Sequence, residues 1–484
     1  MTRSLRRLSF VMAALMIALL ANLTYLQFFA ATQLRGQAGN SRTLLEEYSR
    51  ARGPILLAST PIASSISTAD QLKYLRQYAR GPMYAPATGF YSVVYGATGI
   101  ERAENAVLSG SDDRFFVDRV QQLFANRGIS GGAVRLTLNP AAQKAAYDAL
   151  AGRTGAVVAI DPSTGAILAM VSSPSFDPNL LSSHDPGLIR STYDSYLADP
   201  DQPMLNRPLA MTLPPGSTFK LVTAAAALES GRYTPFTIVP GPASLDLPTS
   251  SRVLNNWSGA ACGPDGKTTF ENALAISCNT AFASIGLDLG ADALRAQAEK
   301  FGFNTSFDVP LHAAASRFPS NLDLPQTAMS AIGQFDVSAT ALQMAMVAAA
   351  IANNGEVMWP YLIAQTLSPG LGVLQTAEPS AFSQAMSPAN AAILLGMMVT
   401  VVEQGTGSNA RIPGVRVGGK TGTAQTAPGQ PPHAWFVGVA PADRAGGAQI
   451  AVAVVLQNGG GAAEVSGNKL AAPIARAVME AVLR

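Results

Sequence analysis

Three textures of hydrophobic and polar positions divide this chain of 484 residues. Residues 8–34 form a run of 27 without a charge, rich in Leu, Ala, Met, Phe and Val, long enough to cross a bilayer as one helix. No later segment matches that length without a charge, Gly or Pro. Between 35 and 139 the periodicity is weak, and turn signals separate short apolar pieces such as GFYSVVYG (89–96). From 131 the pattern sharpens. VRLTLNPAAQKAAYDALAG (134–152) predicts a strand, an Asn-Pro helix start and a helix, and GAVVAIDPSTGAILAMVSSPSFDPN (155–179) predicts two strands around a DPSTG turn.

LPPGSTFK (213–220) then turns into an Ala, Leu and Val run that is apolar all round, so this helix is expected to be buried. Helical patterning continues through 270–303 and 339–355. Strand signals return at VRVGGKTGTAQ (415–425), HAWFVGVAPA (433–442) and QIAVAVVLQN (449–458), before a closing helix over 468–484. Strands, then helices, then strands predict a mixed α+β fold whose sheet is drawn from both ends of a domain, with a helical lobe inserted between them. The expected organisation is an N-terminus and anchor over 1–34, a small non-catalytic domain over 35–150 and a larger domain over 151–484. No internal repeat is visible.

Composition narrows the setting. With 48% hydrophobic and 13% charged residues the chain is not a disordered one, and a net charge of +2 without a long basic run gives no footprint for nucleic acid. Arg3, Arg6 and Arg7 precede the apolar run, which orients the N-terminus inside and the body outside. A cleaved signal peptide is the rival, because FFAAT (28–32) offers small residues to a peptidase. The run exceeds the ~7–15 residues of a signal core, which favours a retained single-pass anchor with an extracytoplasmic body. In that compartment the only two cysteines, Cys262 and Cys278, are either a disulfide or two unpaired small core residues. His184, His312 and His433 do not cluster with them in sequence, so neither a zinc site nor another metal or cofactor is expected.

Candidate chemistry begins at Ser217 and Lys220. The chain has seven lysines against 26 arginines, and a lysine, unlike an arginine, can lose its proton when burial or a neighbouring positive charge depresses its pKa. A neutral lysine three residues after a serine, on the same face of a helical turn, can serve as its base. The plainer alternative is an ordinary helix start with Ser217 or Thr218 as cap and Lys220 in solvent. S-x-x-K alone is weak, since SGNK (466–469) repeats it. Two further segments add weight. Ser277-Cys278-Asn279 lies 60 residues after Ser217, between two helical stretches, and Lys420-Thr421-Gly422-Thr423 lies 143 residues after Ser277, on a predicted strand. The ordered set S-x-x-K, S-x-N, K-T-G is the signature of penicillin-binding proteins and class A β-lactamases. Taken singly, Ser277 and Asn279 read as helix caps and Thr421-Gly422 as a strand bulge.

These motifs, together with EEYSRARG (46–53), TGFYS (88–92), SSPSFDPNLL (172–181), SCNTAF (277–282), KTGTA (420–424) and PPHAWF (431–436), make the chain resemble the class B penicillin-binding proteins over nearly its whole length. Among them it is most similar to the actinobacterial penicillin-binding protein A subfamily. The resemblance implies an anchored chain with an N-terminal pedestal and a transpeptidase domain built on an antiparallel sheet with flanking helices. It implies that Ser217 attacks the penultimate D-Ala carbonyl of a peptidoglycan stem peptide with Lys220 as base, and that a neighbouring stem's amine then takes the acyl group. By the same resemblance Ser277 would relay a proton with help from Lys420, Asn279 would hold the substrate amide, and Lys420 would meet the terminal carboxylate. It further implies that Thr421, Gly422 and Thr423 form the substrate-binding strand, and the backbone N–H groups of Ser217 and Thr423 the oxyanion hole. β-Lactams are implied as covalent inhibitors. Implied partners are membrane lipid, through the N-terminal helix, and a membrane glycosyltransferase of the shape, elongation and division family.

The family's R-G-x-I-x-D-R is only half kept, as RGPILLAS (52–59). Cys278 within S-x-N fits the actinobacterial subgroup, and a bond to Cys262 would staple the loop carrying Ser277 and Asn279. A class A β-lactamase positions a deacylating glutamate in a region where this chain has none between Glu299 and Glu356. A D,D-carboxypeptidase, which uses water as acceptor, shares the motifs, and a wall-synthesis or division scaffold with little catalysis is the alternative from another class.

Overall fold

The computed structural model describes residues 3–29, 47–115, 130–426, 429–443, 446–462 and 464–484. Helix Arg3–Thr24 opens the chain. The stretch Leu5–Phe28, 24 residues with mean hydropathy 2.0 and none of it buried, is long and apolar enough to cross a membrane. Positions 30–34 of the predicted run, and with them part of FFAAT, lie outside the described residues, as do 35–46 and 116–129 of the expected second segment.

One sheet has five strands in the order Gly418–Ala424, His433–Ala440, Ile450–Leu456, Gly155–Ile160 and Ile167–Ser173, every neighbour antiparallel. It closes where Val454 sits opposite Val157, joining the two ends of the region. Alternate residues go to different layers. Val157 and Val452 pack with Ala142, Ala146, Ile474 and Val478 of helices Pro140–Leu150 and Ala472–Leu483. Val158 and Ala453 pack instead with Leu342 and Ala345 of helix Ala341–Ala352, which is buried at all 12 positions. Cover on both faces is why IAVAVVL reads as an unbroken apolar run rather than an alternating one. The Asn-Pro helix start behaves as its sequence implies: Asn139 Oδ1 accepts from the N–H groups of Ala141 and Ala142, and Pro140 needs no hydrogen bond at the first helical position. Helices Lys220–Glu229, Phe270–Ala275, Asn279–Leu289 and Ala291–Lys300 lie in the inserted lobe.

A second, six-stranded sheet runs in the order Val373–Thr376, Ile363–Leu367, Ala133–Leu136, Ile55–Leu57, Thr60–Ser67, Tyr74–Tyr78. Its first two strands come from late in the chain and extend the N-terminal strands. Beside it, Glu101 is wholly buried between two guanidiniums: Arg52 Nε donates to its Oε2 at 2.5 Å and Arg76 Nε to its Oε1 at 2.7 Å. Tyr78 donates to Oε1 at 3.1 Å, and Arg52 stacks 4.3 Å over the Tyr91 ring. Arg52 of the half-kept motif thus finds its acid 49 residues downstream.

Candidate active site

Ser217 lies in a 3₁₀ turn, Gly216–Phe219, and Lys220 is the first residue of the α-helix that follows. With three residues per turn, positions three apart eclipse, so Ser217 and Lys220 share one face. Gly216 has φ +53°, the left-handed region that glycine occupies without strain. Ser217 is half-buried, whereas Lys220 is 0% exposed. Lys220 does not sit in solvent, which removes the plain helix-start reading of that residue.

Lys220 Nζ donates to Ser277 O at 2.8 Å, Ser277 Oγ at 3.3 Å and Asn279 Oδ1 at 2.7 Å. Among the described residues no hydrogen bond joins Ser217 Oγ to Lys220, whose donors rest on the S-x-N turn. Ser277 follows the helix Phe270–Ala275 and has φ 60°, uncommon for a side chain with a Cβ. That conformation turns both its carbonyl and its hydroxyl to the lysines, since Lys420 Nζ also donates to Ser277 Oγ, at 2.8 Å.

Lys420, Thr421, Gly422 and Thr423 lie on Gly418–Ala424, the edge strand of the five-stranded sheet. An edge strand leaves alternate backbone N–H and C=O groups outside the ladder, free for an extended ligand. Glycine at 422 allows strand and turn to touch: a Cβ there would stand 3.0 Å from Pro215 O and 3.0 Å from Thr218 Cγ2. Lys420 is also fully buried and donates to Thr421 O at 3.0 Å.

Burial, and secondarily the Lys420 ammonium, hold the Lys220 amine well below the usual lysine range, and burial pushes Lys420 down to about 7. Among the described residues no carboxylate is bonded to either amine. The geometry therefore supplies a depressed lysine beside a half-exposed serine, and a hydroxyl, Ser277 Oγ, shared by two amines. Such an arrangement can move a proton between lysines through a serine while another serine attacks.

Cys262 and Cys278 are bonded, with sulfurs 2.02 Å apart, and both are buried. Thr406 carries no motif signal, yet its Oγ1 lies 2.7 Å from Thr421 Oγ1 and its N–H donates to Ala275 O at 3.0 Å. It ties the K-T-G strand to the helix ahead of Ser277. His433 is buried in the neighbouring strand, where its Nδ1 accepts from Asn458 N–H. Two cavities, about 660 and 610 Å³, lie elsewhere, the first beside Asp70, Arg76 and His184 and the second among Phe90, Phe176 and Leu311; neither is lined by a residue of the three motifs. Among the described residues no cluster of His, Cys, Asp and Glu could hold a metal.

With this geometry in place, comparison with known proteins is informative. Residues 155–480 match the penicillin binding protein transpeptidase domain, and residues 52–134 the penicillin binding protein A dimerisation domain. The chain is 45% identical to the peptidoglycan D,D-transpeptidase PbpA of Mycolicibacterium smegmatis, covering 100% of this chain and 99% of that protein. It is 43% identical to the protein of the same name from Mycobacterium tuberculosis over the same shares. The solved ceftriaxone acyl-enzyme complex of penicillin-binding protein A from M. tuberculosis superposes with a TM-score of 0.89 at 42% identity, over 91% of this chain and 100% of that one.

Proposed function

The chain belongs to the family of the penicillin-binding protein transpeptidase domain, and from that premise we propose which of its residues perform the reaction. It is a peptidoglycan D,D-transpeptidase of cell-wall synthesis that acts through a serine acyl-enzyme. Ser217 is the nucleophile. Its hydroxyl proton passes to neutral Lys220 as Oγ bonds to the penultimate D-Ala carbonyl carbon of a stem peptide. Backbone N–H groups of Ser217 and Thr423 stabilise the oxyanion, the electrostatic contribution that usually dominates acyl transfer. The bond from that carbon to the terminal D-Ala nitrogen then breaks, and the leaving amine takes a proton through Ser277 Oγ, bridged by Lys220 and Lys420. An acceptor amine attacks the ester, gives up a proton by the reverse route and restores Ser217 with a new peptide cross-link.

Asn279 orients the substrate amide, while Thr421, Gly422 and Thr423 line the strand on which the substrate lies. Lys420, pushed down to about 7 by burial, is held in its charged form when the substrate's terminal carboxylate arrives, because an opposite charge favours the charged form. The observation that carries this reading is a pair of fully buried lysines converging on one serine hydroxyl.

The division into 1–34, 35–150 and 151–484 belongs to the same proposal: a lipid-embedded anchor with its N-terminus inside, a pedestal, and a catalytic domain outside the cytoplasm. Arg3, Arg6 and Arg7 ahead of the apolar helix support that orientation. Work beside a membrane glycosyltransferase of the shape, elongation and division family rests on family resemblance. The test is intact mass after full-length protein in detergent meets benzylpenicillin. One stable adduct on the parent and none on Ser217→Ala is expected; folded parent without an adduct overturns the reading.

A further inference from the structure

Helix Asn279–Leu289 begins without a side-chain cap of its own. The cap position is Cys278, whose sulfur is bonded to Cys262 and which makes no capping hydrogen bond. The first N–H groups of a helix have no partner within it, so here the partner must come from another segment. It comes from Asn256. Its Oδ1 accepts from Asn279 N–H at 3.0 Å, Thr280 N–H at 3.1 Å and Thr280 Oγ1 at 3.2 Å. Its Nδ2 donates to Pro242 O at 2.8 Å and Ala260 O at 2.9 Å. With 7% exposure and every donor and acceptor engaged, this amide has one orientation that satisfies its surroundings.

The preceding residue completes the clamp. Asn255 O accepts from Asn279 Nδ2 at 3.2 Å, while Asn279 Oδ1 accepts from Lys220 Nζ at 2.7 Å. The disulfide limits how far Cys278 can travel but leaves its neighbours free to rotate; the five bonds of Asn256 set direction as well as distance.

We infer that Asn256 is a positioning residue for acyl transfer: by capping helix Asn279–Leu289 from outside, it fixes the turn on which Ser277 and Asn279 meet Lys220 and Lys420. It acts through those residues, and the inference rests on their proposed part in the reaction. An Asn-to-Ala change removes the cap and both anchors; an Asn-to-Asp change keeps an acceptor for three donors but sets a carboxylate against two carbonyls.

The test compares full-length parent, Asn256→Ala, Asn256→Asp and Gln143→Ala in detergent, reading the acylation rate constant with benzylpenicillin and the thermal midpoint. Gln143 is a matched buried amide away from the cleft, donating to Met83 O at 2.9 Å and Met170 O at 3.0 Å and accepting from Met170 N–H at 2.8 Å. Asn256→Ala is expected to acylate about 10–100-fold more slowly while folded, the loss typical of a removed supporting group or a turn displaced by about 1 Å. Gln143→Ala, even at an equal loss of thermal midpoint, is expected to stay within about 2-fold of the parent, as a distant and independent site should. Asn256→Asp should recover part of the rate and raise the pH at which acylation sets in, because added negative charge favours protonated Lys220. The groups facing Lys220 are Ser277, Asn279, Lys420 and, 5.6 Å away, the Phe282 ring. Asn256→Ala within about 2-fold of the parent overturns the inference. So does a rate loss that follows the thermal midpoint alike in Asn256→Ala and Gln143→Ala, with no recovery in Asn256→Asp. A parent that takes no adduct sinks the functional reading instead, which keeps the two failures apart.

Discussion

Arg52, Arg76 and Glu101 beside the six-stranded sheet and Lys220 and Lys420 in the cleft are all nearly or wholly sealed from solvent, but only the first set is balanced by opposite charge. Glu101 meets two guanidiniums and a phenol, and the guanidiniums keep its carboxyl below the ordinary range despite complete burial. The two lysines meet hydroxyl, amide and carbonyl oxygens; burial drives both toward the neutral form, and the Lys420 charge adds to the push on Lys220. Burial alone therefore does not tell a structural charge from a reactive one. The partners do: opposite charges lock protonation states in place, while like charges in a dry cleft leave a proton ready to move.

The strongest way to break this contrast is Lys220→Met. Loss of a general base should slow acylation by about 10²–10⁴-fold, while the fold holds or gains stability because a buried polar amine has been exchanged for an apolar chain of similar length. Stopped-flow acylation and urea unfolding of the same sample would read both, and a variant that acylates normally refutes the role of Lys220. Glu101→Ala should do the reverse. Two guanidiniums left facing each other are expected to lower stability by about 3–5 kcal/mol in urea unfolding, with acylation per folded molecule little changed. A selective loss of acylation there would erase the distinction between the two sets.

The smallest effect concerns pH. Lys420 titrates at about 7 in the fold against 10.5 for an ordinary lysine, so between those values the unfolded chain holds a proton that the folded chain has released. Stability should accordingly rise with pH through that window, by at most about 1.4 kcal/mol per unit, with the penalty complete below it. Lys420→Met should flatten that part of the curve, and an unchanged slope would mean that Lys420 keeps its proton in the fold.

Local signals made much of this architecture legible. The Asn-Pro start at Asn139, the continuous apolar strands and the apolar helix after LPPGSTFK each follow from short-range pattern, and strands at both ends of the larger region do form one sheet. The six-stranded sheet could not be read in the same way. Ile363–Leu367 pairs with Ala133–Leu136 across more than two hundred residues, and nothing in either segment names the other. In the cleft, motif spacing brought Lys220, Ser277, Asn279 and Lys420 into view, and the hydrogen bonds join all four. Thr406 and Asn256 stayed hidden because a threonine in a loop and an asparagine after a short strand are ordinary there, and only the fold reveals what they touch.

The closing pair of the five-stranded sheet, Gly155–Ile160 against Ile450–Leu456, also sets a schedule. A chain made from its N-terminus exposes Ser217 and Lys220 well before Lys420 exists, and the strand bearing Lys420 joins the framework only through the two strands after it. Until the last of these pairs, the 3₁₀ turn has no strand to lie against and the second amine has no fixed place. Assembly of the cleft is thereby tied to the closing of the sheet, because the strand bearing Lys420 is anchored only once segments from both ends of the region have paired.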